Sequence, residues 1–281
     1  MSDLFDFDSK KDIYGVMGNP ISHSKSPIIH TAFAAQTQQR LEYSAIHVDN
    51  GGLQQAVGNF QAAGGKGLNI TVPFKQETFE IIDQCSERAK RAGAVNTLTF
   101  ENDNIIGDNT DGIGLVHDLK NNLTIKIQNK NILLMGAGGA TRGVIVPLLN
   151  ENPRSLFIVN RTVDKAKNLA ELFSDYGNIS AGSYNALTGK QFDIIINATA
   201  ASLQGELAPL PDNILTKNAI CYDMMYSNQT TPFMDWATQH NAALVSDGLG
   251  MLVEQAAESF FIWRAVRPES QALIKRLRQS L

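Results

Sequence analysis

At 281 residues the chain has room for one large domain or two of ordinary size, with a substantial core that needs no disulfide staples. An apolar content of 43% and a charged content of 19% exclude a disordered polymer, and a net charge of −4 supplies no attraction to nucleic acid. Cys85 and Cys221 stand far apart and in no paired motif, which excludes a disulfide scaffold or a Cys-rich zinc site and reads as two reduced core thiols. None of the five histidines forms the i, i+4 pair of a zinc helix, so no metal site is expected. Residues 1–12 lack the basic start and apolar run of a signal peptide. No stretch stays apolar for the ~18 residues that span a bilayer, so the expected setting is the cytoplasm, without a membrane partner.

Short β-branched runs alternate with helical patterns along the chain, which predicts an α/β fold with mostly parallel strands. Residues 13–17, 43–48 and 68–72 read as strands, with helices over 28–38 and 52–61 between them. Residues 97–100 and 105–107 flank the turn-forming Asn102-Asp103-Asn104 and read as a hairpin. A second unit begins near Gly112. It has strands at 131–135, 156–159, 193–196, 219–222 and 243–245, with helices to Asn150, through Phe173 and over 235–240. That cadence is the one of a dinucleotide-binding domain. The tail, over 251–265 and 270–281, is helical by pattern.

Gly136-Ala137-Gly138-Gly139-Ala140-Thr141 follows a strand and opens a helix. A loose glycine cluster alone is often a tight turn. Between strand and helix it reads as a pyrophosphate cradle, where main-chain N–H groups meet the phosphates at a helix N-terminus. The match is imperfect, because a strict motif places glycine or alanine at Thr141. The next strand ends in Asn160-Arg161-Thr162, none of them acidic, with Lys165 one helical turn on from Arg161. An NAD enzyme places a carboxylate there for the ribose 2′-hydroxyl, whereas a guanidinium and an ammonium suit a 2′-phosphate. The cofactor expected from these residues is NADP.

Four polar segments stand at the mouths of predicted strands in the first half: GNPISHSKSP (18–27), NITVPFK (69–75), GAVNTL (93–98) and GDNTDG (107–112). Such mouths are where α/β proteins bind ligands. Ser26 also reads as a helix N-cap, with Pro27 at the first helical position. Residues 108–112 are superficially similar to a calcium loop, but Thr110 breaks the alternation of oxygen ligands.

Together with GAGGATRG (136–143), NRT (160–162), CYDMMY (221–226) and DGLGMLVEQA (247–256), these segments resemble the shikimate dehydrogenase family, in the family's order, over residues 13–262. The resemblance implies an N-terminal α/β substrate domain over 1–111, a Rossmann-like NADP-binding domain over 112–249, and a cleft between them. Helices over 250–281 would pack back on the first domain. It implies reversible reduction of 3-dehydroshikimate to shikimate with NADPH, in the chorismate pathway of aromatic amino-acid biosynthesis. By motif position Lys75 and Asp111 would be the catalytic pair, and Ser24 and Ser26 would bind the substrate carboxylate. Asn69, Thr71, Asn96 and Gln255 would hydrogen-bond its oxygens, with Tyr226 lining the same pocket. Gly136, Ala137, Gly138, Gly139, Ala140, Asn160, Arg161, Thr162 and Lys165 would hold NADP, with Met224 and Gly248 near the nicotinamide.

Hydride transfer to a ketone builds alkoxide character, so a proton donor must sit at the carbonyl oxygen, and a lysine supplies one. An adjacent carboxylate favours the charged lysine, which assigns Asp111 to positioning substrate and lysine, with the proton passing through both groups. Two departures stand out: Lys165 replaces a second arginine common in the family, and Ala200 and Ala201 replace serine after Asn197-Ala198-Thr199. A quinate/shikimate dehydrogenase that accepts NAD would carry nearly the same pocket, while a non-catalytic sensor of NADP or a cyclic carboxylate would have lost Lys75 or Asp111. The working unit is expected to be a monomer or homodimer.

Overall fold

A computed structural model describes residues 11–199, 201 and 205–279. Most of the N-terminal segment judged for a signal peptide, the departure at Ala200 and the last two residues lie outside the described residues.

The first sheet holds β1 (Asp12–Gly18), β2 (Leu41–His47), β3 (Gly65–Ile70), β4 (Gln84–Cys85), β5 (Thr97–Glu101) and β6 (Asn104–Asp108), in the order β2-β1-β3-β5-β6-β4. β1 pairs in parallel with β2 and β3, and β5–β6 is the expected antiparallel hairpin, with Leu98 opposite Gly107. Around this sheet run α1 (Ser26–Gln36), α2 (Leu53–Ala62) and α3 (Glu87–Ala92), and α4 (Asp111–His117) leads out of it. β1 and β3 are buried over most of their length, as central strands covered on both faces must be, whereas the edge strand β2 stays half-open.

The second sheet holds β7 (Asn131–Met135), β8 (Ser155–Val159), β9 (Ile179–Gly182), β10 (Phe192–Asn197), β11 (Leu215–Asp223) and β12 (Leu244–Ser246). Its order is β12-β11-β10-β7-β8-β9, and every pair is parallel. Read outward from β7, this is the doubly wound dinucleotide-binding order, in which the strand sequence reverses between β7 and β10. α5 (Gly139–Asn150), α6 (Val163–Leu172) and α7 (Pro232–Gln239) cover it. Two apolar clusters lie on its faces, one built on Leu134, Ile158 and Ile196 and the other on Leu133, Ile195 and Trp236. α8 (Leu249–Arg264) and α9 (Gln271–Gln279) follow, and Val253, Ala257 and Phe260 of α8 pack on Ile29 and Phe33 of α1.

Three sequence expectations change. The N-cap of α1 falls on Lys25, not Ser26. Ser24 Oγ accepts the Ser26 N–H at 3.3 Å, so the helix starts one residue early and Ser26 turns inward. The third strand ends at Ile70 rather than Val72, because the chain turns there and Thr71 donates its N–H to the Met17 carbonyl. The sequence reading also omits β4, α3, α4 and β9. Gly112 and Gly114 depress helix propensity in α4, and the Ser-Ala-Gly of β9 carries little strand signal.

Candidate active site

The carboxyl ends of the two sheets face one cleft. Chain leaving β1 and β3 supplies one wall, and chain leaving β7, β8, β10 and β11 supplies the other. Two cavities of about 660 Å³ and about 360 Å³ occupy it. Val72, Lys75, Ala140 and Met225 line both, so the two are halves of one site.

Lys75 and Asp111 stand where the halves meet. Lys75 follows the turn after β3, and Asp111 opens α4. Lys75 Nζ donates to Asp111 Oδ2 at 2.6 Å, with the lysine side chain 16% exposed and the aspartate 4%. The other carboxylate oxygen accepts from Asn96 Nδ2 at 2.9 Å, and the Asp111 N–H donates to Asn109 Oδ1 at 3.1 Å. The carboxylate is thus held from behind while the ammonium faces the cleft. Such pre-set polar groups cost no reorganisation when charge develops next to them.

The smaller half is lined by Ser24, Ser26, Asn69, Thr71, Tyr226 and Gln255, together with Lys75 and Asp111. Hydroxyls, amides, one cation and one anion therefore converge on a pocket whose remaining walls, His23 apart, are formed by residues such as Val16, Ile21 and Leu252. Burial pushes the Tyr226 phenol up, which keeps it a neutral hydroxyl. Asn96 is not on the open wall. It is 1% exposed and lies behind Asp111 and Gln255, donating to Gln255 Oε1 at 3.1 Å.

The larger half is lined by the whole glycine loop from Gly136 to Ala140 and by Asn160 and Arg161. Gly136 has φ +111, a conformation that needs glycine, and a Cβ there would meet the Ala198 carbonyl at 3.1 Å. Gly138 abuts open space, so the main chain is bare where a ligand would approach. Thr141, the mismatch to the strict motif, is fully buried, and its hydroxyl packs under the Gly136 turn. The first N–H groups of α5 lack intrahelical acceptors by construction, and the helix dipole favours an anion there. The residues present fit a dinucleotide phosphate.

Other expected contacts are placed differently. Thr162 and Lys165 are exposed and do not line the cavity, and Thr162 is the N-cap of α6, its carbonyl accepting from Asn160 Nδ2 at 2.9 Å. Met224 and Gly248 line the smaller half, and it is Met225 that reaches both. A Cβ at Gly248 would lie 2.2 Å from the Met224 carbonyl, so this glycine lets two loops close together. Ala201 lines the larger half. Tyr184 and Thr199 in the larger half, and His23 and Met251 in the smaller, were not expected. Tyr184 follows the overlooked β9, while Thr199 sits in the stretch already noted after Asn197. Among the described residues, no group of three or more His, Cys, Asp or Glu is placed to hold a metal, and no helix is long and apolar enough to cross a membrane.

Comparisons with known proteins agree with this geometry. Residues 16–98 match the family described as "Shikimate dehydrogenase substrate binding domain", residues 118–205 match "Shikimate / quinate 5-dehydrogenase", and residues 248–278 match "Shikimate 5'-dehydrogenase C-terminal domain". A shikimate dehydrogenase (NADP(+)) of Nitrosococcus oceani is 56% identical over 271 residues, covering 96% of this chain and 96% of that protein. The crystal structure of an Ael1 enzyme from Pseudomonas putida has a TM-score of 0.90 at 46% identity, covering 95% of this chain and 98% of that one. That of shikimate 5-dehydrogenase from Thermus thermophilus, in complex with NADP(H) and shikimate, has a TM-score of 0.86 at 28% identity, covering 96% and 100%. With motifs, strand order and cleft agreeing over nearly its whole length, the chain belongs to the shikimate dehydrogenase family.

Proposed function

We propose that this chain catalyses the reversible NADPH-dependent reduction of 3-dehydroshikimate to shikimate, a step of chorismate and aromatic amino-acid biosynthesis. The observation that carries the reading is the Lys75–Asp111 pair, 2.6 Å apart at the junction of the two cavities. A Cβ at Gly139 of the glycine loop would lie only 3.4 Å from Lys75 Cβ, so the pair sits directly beside the phosphate cradle.

The nicotinamide, when bound, supplies the hydride. Lys75 donates a proton from Nζ to the carbonyl oxygen as negative charge develops on it, and takes the proton back in the reverse direction. Asp111 holds the ammonium in place and offers its carboxylate to a ring hydroxyl. Ser24 and Ser26 bind the substrate carboxylate, Asn69, Thr71 and Gln255 bind ring oxygens, and Tyr226 closes the pocket. Asn96 acts behind them by holding Asp111 and Gln255. The glycine loop holds the pyrophosphate of the dinucleotide, and Asn160 and Arg161 meet its 2′-phosphate end.

Residues 1–111 form the substrate domain, 112–249 the NADP domain, and 250–281 return to the first. The setting is the cytoplasm, which suits the unpaired Cys85 and Cys221.

The test is NADPH formation, followed by absorbance, with shikimate or quinate offered alongside NADP or NAD. Fast turnover is expected with shikimate and NADP alone. Lys75→Ala is expected to lower kcat by about 10²–10⁴-fold, the usual worth of a positioned acid or base. A raised KM with unchanged kcat would make Lys75 a binding residue only.

A further inference from the structure

One side chain behind the substrate pocket belongs to no motif. Tyr43 lies on the edge strand β2, paired with Tyr14 of β1. Its ring is partly exposed, while its hydroxyl is enclosed between the side chains of Ser26 and Asn69. The ring stacks on the fully buried His30, with centroids 4.2 Å apart and planes within 4°. The hydroxyl donates to Asn69 Oδ1 at 2.7 Å and also hydrogen-bonds the Ser26 side chain. Ser26 and Asn69 both line the substrate half of the cleft.

The Asn69 amide nitrogen has two hydrogens and three acceptors in reach. These are the Asn96 carbonyl at 3.2 Å, Thr97 Oγ1 at 3.2 Å and Ser259 Oγ at 3.0 Å. Both N–H groups are therefore spent inside the protein. The acceptor capacity that Asn69 has left is the second lone pair of Oδ1, which the pocket shares with the His30 ring beside it. A flipped amide would set its oxygen against the Asn96 carbonyl, which only accepts, and would abandon the Tyr43 donor.

We propose that Tyr43 is a positioning residue, which pins the Asn69 amide so that it meets the substrate only as a hydrogen-bond acceptor and selects a ring hydroxyl there over a carbonyl. Burial of the phenol holds its proton in place well above the ordinary range, so the donor persists at any working pH. The inference rests on the activity proposed above and adds a residue that acts through Asn69.

The test is Tyr43→Phe, which keeps the ring and its stack on His30 and removes only the hydroxyl. The expected result is a KM for shikimate raised about 5–30-fold, the range set by one buried hydrogen bond, with kcat within about threefold and the KM for NADP unchanged. In an Asn69→Ala background, or Asn69→Ser if that variant fails to fold, Tyr43→Phe is expected to add no more than about twofold, as coupled residues do. An unchanged KM for shikimate alongside a lowered melting temperature would overturn the inference, leaving Tyr43 a purely structural residue. Additive effects in the double variant would overturn it as well. Wild-type protein with no shikimate turnover would instead overturn the activity, and this inference with it.

Discussion

Asp111 is held by Asn96 and Asn109, and a layer further out stands the buried His30. It stacks under Tyr43, and burial pushes it down to about 3, so it is neutral in the folded protein. In the unfolded chain a histidine titrates near about 6.5. The folded value is depressed, so the unfolded state binds the proton more readily below that point. The contribution is therefore fully present above about pH 6.5 and is lost as pH falls from there toward about 3, by about 1.4 kcal/mol per unit. Between pH 7.5 and pH 5 this share of the unfolding free energy is expected to drop by about 2 kcal/mol in urea titrations. Asp118, which burial raises, acts with the opposite sign. The effect is accordingly read as the difference between wild type and His30→Phe, which retains the stack and cannot protonate. Equal slopes in the two proteins would refute it. At this scale the sequence names Lys75, Asp111 and the lining amides because they sit in motifs. Tyr43 carries no such signal, since an edge-strand tyrosine looks like any other until its hydroxyl is seen beside Asn69.

Among the elements, α4 joins the halves of the molecule together with α8, and it is among those the sequence hides. It packs on α5 along one side and on α8 along another. Both crossings are close because α4 offers glycines. A Cβ at Gly112 would lie 2.4 Å from the Gly143 carbonyl, and one at Gly114 would lie 2.8 Å from both the Gln255 nitrogen and the Met251 carbonyl. The same residues that weaken helix propensity are thus the ones that let the helix seat. Gly114→Ala is expected to force α4 and α8 apart, at a cost of about 1–3 kcal/mol, as overpacking usually does. Because Gln255 lines the substrate pocket, the variant is also expected to raise the KM for shikimate. A thermal melt and steady-state rates measure the two effects, and a melting temperature equal to wild type would contradict the packing account. Strands such as β7 and β10 are legible because continuous β-branched and leucine runs are what a doubly covered parallel strand requires. β9 is short and small-residued, and only its pairing with β8 makes it a strand.

For the whole molecule, the decisive feature is that two sheets present their carboxyl ends to one cleft, so that the cofactor half is walled from both sides. Val72, Pro73 and Lys75 approach from the first half of the chain, and the glycine loop and Arg161 from the second. Arg161 is exposed and carries the one strong cue for a 2′-phosphate among the residues lining that cavity. Arg161→Ala is therefore expected to raise the KM for NADP by about 10–100-fold, the worth of a charge-assisted hydrogen bond, while changing that for NAD little. Equal losses with both cofactors would place the arginine elsewhere in the binding mode. Lys165 belongs to the same sequence cue, yet it stands exposed and away from the lining, because helical phase rather than sequence distance decides which side chains of α6 face the cleft. The local sequence by itself determined the α/β alternation, the glycine loop, the absence of an acid from Asn160-Arg161-Thr162 and the polar strand mouths, since these depend on propensity, turn geometry and charge within a few residues. The tertiary structure alone decided that Lys75 meets Asp111 across 36 positions, that Asn96 stands behind them, and that Tyr43 backs Asn69. Those contacts join strands and helices distant in the chain, and only the packing of α4 and α8 against both halves sets their distances.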